Sequence, residues 1–200
     1  AWGVAADLGG SALLEPLRAR ADWPVLLAET ATDLAPRGAP RTTYTTAEAD
    51  LIPEGLAWDP VDDAYYLSSV AARKIVRVDR DGTARDFIAP GAHGYLAGLG
   101  LAVDAERRRL WAVSTAQPDD GLFEAAINHV SAVHVFDLRS GALLWRHVTA
   151  AADSLGFNDV CVLPDGGAAV LCLNSNRSEG GQSASLRLDN SRPEGLDHEC

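Results

Sequence analysis

Three stretches decide how this chain is read: Glu54-Gly55-Leu56-Ala57-Trp58-Asp59, Leu99-Gly100-Leu101-Ala102-Val103-Asp104 and Asn158-Asp159-Val160-Cys161-Val162-Leu163. The second follows the first by 45 residues, and the third follows after another 59. Each is trailed by a polar turn (60–64, 105–109, 164–168) and a second apolar run: Tyr65-Tyr66-Leu67, Leu110-Trp111-Ala112-Val113 and Ala169-Val170-Leu171-Cys172. A third run follows in each unit and ends in aspartate: Ile75-Val76-Arg77-Val78-Asp79, Val133-His134-Val135-Phe136-Asp137 and Ser185-Leu186-Arg187-Leu188-Asp189. In the first two units Asp81-Gly82 and Ser140-Gly141 turns lead to a fourth run, 83–88 and 142–148. Alternating apolar runs bounded by Asp and Gly turns are a strand signal. An insertion of about 14 residues near 117–131 accounts for the longer second spacing.

Four short strands recurring at a period of about 45 residues are the signature of a β-propeller blade. One four-stranded sheet cannot bury both of its faces alone; stacked radially, each blade covers its neighbours. A β-sandwich whose strands recur at even spacing is the alternative. The propeller is favoured because three strands match in type and order across three units. The expected fold is therefore all-β, an incomplete propeller of about three four-stranded blades spanning 52–88, 97–148 and 155–189 within residues 51–200. Residues 1–50 are expected to be an irregular, partly helical segment. Gly10-Ser11 reads as the cap of a short helix through Arg20, with Leu13, Leu14 and Leu17 at helical spacing. From Ala31 to Thr46 the composition of Thr, Ala, Pro and Arg predicts an extended linker or edge strand.

The blade count does not close a ring, since propellers have at least four. The chain is expected to be roughly half of one, with the missing blades lying elsewhere or supplied by another chain. An open arc would leave an end sheet bare, which is an aggregation hazard. The absence of methionine, at position 1 and throughout, likewise reads as a processed, trimmed or partial chain. Pro193-Glu194-Gly195-Leu196 echoes Pro53–Leu56 but follows Asp189 too soon to open another blade, and reads as coincidence.

Of 200 residues, 47% are apolar and 22% charged, an ordinary globular balance. The net charge of −11, with Lys74 the one lysine, argues against nucleic-acid and anionic-membrane partners, whose phosphates need a basic face. No apolar run is long enough for a spanning helix, and the first residues have neither the basic nor the apolar part of a signal peptide, so a soluble chain is expected. Cys161, Cys172 and Cys200 lack the spacing of a zinc site and read as buried strand thiols plus a tail cysteine. A Cys161–Cys172 bridge would need adjacent strands in register.

Ile52-Pro53-Glu54-Gly55-Leu56-Ala57-Trp58-Asp59-Pro60, with Ser68-Ser69 and the 74–79 strand, resembles the opening blade of the senescence-marker-protein, gluconolactonase and luciferin-regenerating-enzyme family. Leu99–Asp104, Phe136-Asp137-Leu138-Arg139-Ser140-Gly141 and Phe157-Asn158-Asp159-Val160 continue the likeness over about residues 50–170. The family, also called calcium-dependent phosphotriesterase-like, consists of six-bladed propellers. The resemblance implies a hydrolase of lactones or related esters acting on a small-molecule substrate with a divalent cation, calcium being the one expected. It implies Glu54, in the Pro-Glu-Gly motif, as a metal ligand at the channel mouth, and Asn158 as a polar substrate contact beside it. A carboxylate opening an inner strand would point toward the axis, where oxygen ligands from several blades can converge.

The departures from the family pattern are specific. Leu99 occupies the equivalent place in the middle unit and cannot ligate. The family's later Asn and Asp ligands have no counterpart, the Asp doubling as general base, so the catalytic residue is unknown. Gly156 stands where relatives often carry arginine. The chain as written is expected to be inactive alone, and a non-catalytic scaffold binding a protein or small molecule is the alternative function.

Plainer readings stand beside these. Glu54 also reads as a solvated turn carboxylate, and Asn158-Asp159 as an Asx turn opening a strand. Asp81-Gly82 and Asp165-Gly166-Gly167 are turn chemistry, with no spaced ligand series after them. Arg107-Arg108-Arg109 is expected to be a solvated hairpin turn. His134 and His147 are expected as satisfied or exposed strand histidines, and Trp58, Tyr65, Tyr66 and Trp111 as inter-blade packing. No GxSxG elbow supports a serine nucleophile.

Overall fold

The computed structural model describes residues 10, 12–34, 42, 44–116, 130–153, 155–174 and 183–188. The chain divides into two compact units, Ala1–Thr42 and Thr43–Cys200.

In the first unit a 3-10 helix, Ala12–Leu17, is followed by an α-helix, α1, Trp23–Leu34. This corrects the single helix expected through Arg20 and moves the start of the expected linker from Ala31 to beyond Leu34. Pro16 inside the first helix removes a donor, and a turn bridged by Arg20 and Asp22 (2.7 and 2.9 Å) separates the two. Pro24 sits in the first turn of α1, where its missing N–H costs nothing. Trp23, Leu27 and Thr30 then share one covered face at helical spacing, carrying the helix into the Thr-Ala stretch.

The second unit is built of antiparallel sheets. Strands β1 (Pro53–Asp59), β2 (Ala64–Ser69), β3 (Ile75–Val78) and β4 (Ala84–Ile88) form the first in that order. Strands β5 (Ala97–Asp104), β6 (Arg109–Thr115), β7 (Ser131–Asp137) and β8 (Leu143–Val148) form the second. Strands β9 (Leu155–Val162), β10 (Ala168–Asn174) and β11 (Ser183–Leu188) form a third, three-stranded among the described residues. The inner strands stack in sequence, β1 against β5 and β5 against β9, as in consecutive propeller blades. The fold is an open arc of three blades, not a two-sheet sandwich. The expected insertion (117–129), the Pro193–Leu196 echo and Cys200 lie outside the described residues.

Packing follows the strand alternation. Ala57, Tyr66, Ile75 and Ile88 of the first blade meet Leu101, Leu110, Ala112 and Phe136 of the second. The other face of the second blade (Trp111, Val113, Val133, Val135) meets Phe157, Val160, Ala168 and Val170 of the third. Residues before β1 cover the outer half of the first blade: Tyr44 and Leu51 pack on Val76 and Val78. The buried Lys74 ammonium fastens this segment, lying 2.7 Å from Glu48 and 2.8 Å from Asp86.

The turn after each inner strand ends in a left-handed residue at one equivalent position: Asp63 (φ 50°), Arg108 (φ 54°) and Gly166 (φ 86°). Arg108 is not solvated as expected from its arginine run. It is buried and grips the fully buried Asp59 carboxylate through two bonds of 2.6 and 2.8 Å, with Asp62 at 3.0 Å. The fold thus ties the first blade to the turn of the second, and the pair explains how a non-glycine residue is held left-handed there. Removing one partner alone would cost about 3–5 kcal/mol by stranding a buried charge.

Two further expectations are corrected. Trp58 faces outward, 52% exposed, with its indole N–H 3.3 Å from Asp63. Cys161 is exposed whereas Cys172 is buried, and no disulfide joins them: Cys172 pairs in register with Phe157 and Cys161 with Ala169.

Candidate functional site

The three inner strands break register at the same place. The pairing shifts between Pro53 and Leu56 in β1, between Gly98 and Leu101 in β5, and beside Asn158 in β9. A bulge re-aims side chains and bends its strand. Here it acts on Glu54, Leu99 and Asn158, the residues the sequence alignment makes equivalent.

Two glycines let the bulges close up. A Cβ at Gly55 would collide with the Leu99 carbonyl, and one at Gly100 with Asp159. The inner strands therefore touch backbone to backbone, and the side chains on either side converge. Hydroxyls lock the seams. Ser68 Oγ accepts the Gly55 N–H (2.8 Å) and donates to the Leu99 carbonyl. At the next seam Thr115 Oγ1 donates to the Phe157 carbonyl (2.8 Å), and Ser131 Oγ accepts the Phe157 N–H (3.1 Å) while donating to Leu155. These bonds fix the backbone just before Asn158.

The result is a cleft of about 240 Å³ lined by Glu54, Gly55, Leu56, Gly100, Leu101, Asn158 and Asp159. Glu54, Asn158 and Asp159 are all exposed to it, whereas Leu99 is buried in the core between the second and third blades. One Asp159 oxygen accepts the neighbouring Val160 N–H at 2.8 Å, leaving its other oxygen unengaged by that bond. Asp159 went unassigned in the sequence reading. The available signal was its position, since it stands where Gly55 and Gly100 stand in the other blades.

Two carboxylates and one amide are hard oxygen donors, the type calcium and magnesium prefer. Their number falls short of six, and among the described residues no three His, Cys, Asp or Glu side chains gather as a metal site. The donor chemistry fits a divalent cation, but the described set is too small to make a coordination shell.

Away from the cleft, His134 is fully buried between Tyr95 and Phe136, parallel to the latter at 5.6 Å. Burial lowers its pKa to about 4, against the opposing pull of the His93 carbonyl 3.3 Å away. Burial also raises the Tyr95 phenol. Burial pushes Asp59 up, but the Arg108 guanidinium and the Val61 N–H outweigh it and hold the carboxyl below its usual range.

The class this geometry defines is a β-propeller segment with a polar cleft at its inner-strand ends. No family model matches the sequence, and no curated protein matches it. Several solved structures are similar to part of the chain. The gluconolactonase of Xanthomonas campestris is 20% identical at a TM-score of 0.47, over 68% of this chain and 43% of that one. A luciferin-regenerating enzyme is 15% identical at 0.47, over 70% and 45%. The PQQ-bound aldose sugar dehydrogenase of Streptomyces coelicolor is 18% identical at 0.49, over 75% and 47%. Two names in the resemblance carried by the sequence motifs are therefore among the structurally similar proteins. The chain spans less than half the length of each. No described helix is long and apolar enough to cross a membrane.

Proposed function

We propose that this chain carries part of the site of a divalent-cation-dependent hydrolase of lactones or related esters. Glu54 serves as a cation ligand and Asn158 as a substrate contact, with calcium as the cation. The observation that supports this reading is the convergence of Glu54, Asn158 and Asp159 on one open cleft through bulges at equivalent positions. A cation bound there would polarise a carbonyl and acidify a water. The chain's own groups then have defined tasks: the Asn158 amide orients a polar substrate, and the backbone contacts at Gly55 and Gly100 hold the two ends of the cleft at fixed spacing.

Calorimetric titration of the full chain with calcium, beside Glu54→Ala, tests the ligand assignment. Binding in the parent chain and a loss of about tenfold or more in the variant is the expected result. Equal binding by both removes Glu54 from the role.

A second reading is a non-catalytic propeller scaffold. It is favoured by Leu99 at the equivalent position of the middle blade and by the lack of a third acidic ligand among the described residues. Cation-dependent turnover in a screen of lactone and phosphotriester substrates would count against it.

A further inference from the structure

Two arginines meet on the loop that joins the first two blades, residues 89–96. Elsewhere in these blades cations are matched by acids: Lys74, Arg77, Arg80, Arg85, Arg107 and Arg108 each lie within 3.4 Å of a carboxylate. Arg73 and Arg146 have no carboxylate partner among the described residues, and the loop itself contains no acidic residue. Glu48 and Asp86 are taken up by Lys74, next to Arg73 in the chain. Guanidinium groups stay charged in proteins. In a chain of net charge −11, two of them left unmatched at one place point to an anion from outside.

The two side chains reach the loop from different blades. Arg73, in the turn after β2, donates to the Tyr95 carbonyl at 3.4 Å, and Arg146, on β8, donates to the His93 carbonyl at 2.6 Å. A Cβ at Gly94 would stand 2.5 Å from Arg146 Nη1, so that glycine leaves the place the guanidinium occupies. Arg73 and His93 both hold left-handed backbone, at φ 50° and 58°. Non-glycine residues are held there at a cost, and such positions cluster at ligand sites. Each carbonyl bond engages one terminal nitrogen of a fork that has two. Ser69 at the end of β2 pairs with Pro53, and Val148 at the end of β8 pairs with Ala132. The arginines therefore lie at the end of the blades where the inner strands begin, the end that carries Glu54.

We infer that Arg73 and Arg146 form an anion site on the 89–96 loop, and that its ligand is phosphate, free or as the monoester of a small molecule. The two acceptor residues, His93 and Tyr95, are two peptide steps apart, about 7.6 Å at most between Cα atoms. One ligand can therefore touch both guanidiniums. Two fixed positive charges match a phosphate dianion better than a single carboxylate, and guanidinium forks pair with phosphate oxygens two at a time. The net charge of −11 turns polyanionic surfaces away, which leaves small phosphates. The site uses neither Glu54 nor Asn158 and stands apart from the cation site proposed above.

Calorimetric titration of the full chain with inorganic phosphate, in the presence of chelator, tests this. Saturable binding in about the millimolar range or tighter is expected. Arg73→Gln and Arg146→Gln, each checked for retained fold by circular dichroism, should each weaken it about tenfold or more. Arg139→Gln, which removes an exposed arginine from the turn after β7, should leave it unchanged. If Arg73→Gln fails to fold, Arg146→Gln decides, because the Arg146 side chain is exposed. Methyl phosphate binding as tightly as inorganic phosphate supports the site with a monoester as its ligand; inorganic phosphate binding alone supports it with the free ion. No saturable binding, binding that Arg146→Gln leaves intact, or acetate binding as tightly as phosphate overturns the inference. Phosphate binding that needs calcium or disappears in Glu54→Ala would lie at the cleft, overturning the inference and leaving the cation site standing. Phosphate binding in a chain that takes up no calcium supports the anion site and removes the cation site.

Discussion

His134 shows what burial does to one titratable group. Its ring lies between Tyr95 and Phe136 with no exposed surface, and its Nδ1 has no hydrogen-bond partner among the described residues. Protonation in place would leave an imidazolium there, with the Arg146 charge adding to the penalty. The folded-state pKa of about 4 lies below the ordinary 6.5, so the unfolded chain binds the proton first. The contribution is therefore complete above pH 6.5 and is lost as pH falls toward 4, to a total on the order of 3 kcal/mol. Asp59 acts in a lower window. Its depressed pKa gives stability that is present above its ordinary value of 3.8 and lost below it. Urea unfolding between pH 7 and 4 separates the two groups: His134→Phe, which cannot titrate, should flatten the decline. An unchanged slope would show that other groups set it.

At the level of the strand, the seams depend on two glycines more than on any apolar residue. Gly55→Ala places a methyl group against the Leu99 carbonyl, which is backbone and cannot rotate away. The expected cost is about 3 kcal/mol or more, at or beyond the upper end for overpacking. Gly156→Ala is the control, because a Cβ there would meet Leu173 at an ordinary 3.7 Å and should be close to neutral. Thermal or denaturant unfolding of the two variants checks the contrast, and equal effects would sink it. Much of this level was legible beforehand. The strands around Leu56, Leu101 and Val160 read clearly because their alternation repeats three times between Asp and Gly turns. Arg108 misled because a burial decided by a partner 49 residues away leaves no trace in a local charge run. Trp58 misled because an aromatic residue in a strand carries no mark of which face has a neighbour. That Glu54 and Asn158 share one cleft followed from their equivalent positions in the repeat. That Asp159 also lines the cleft appeared only with the close approach of its backbone to Gly100.

Across the arc, among the described residues, the middle blade alone has a sheet packed on each of its faces. Trp111, Val113, Val133 and Val135 face the third blade, while Leu110, Ala112 and Phe136 of the same two strands face the first. The first blade has one full neighbour plus the Tyr44–Leu51 cover, and the third has one neighbour and exposes Leu171 and Leu173. Local opening costs most where apolar contacts are lost on both sides. Amides of β6 and β7 should therefore exchange only through global unfolding, and those of β10 and β4 through smaller openings. The difference should appear as a denaturant dependence, steep for Val113 and Val135 and shallow for Leu171 and Phe87. Hydrogen exchange followed by mass spectrometry or NMR on the monomer reads this directly. If Leu171 were as protected as Val113 in the monomer, its outer face would be covered and the unequal stability of the blades would fail.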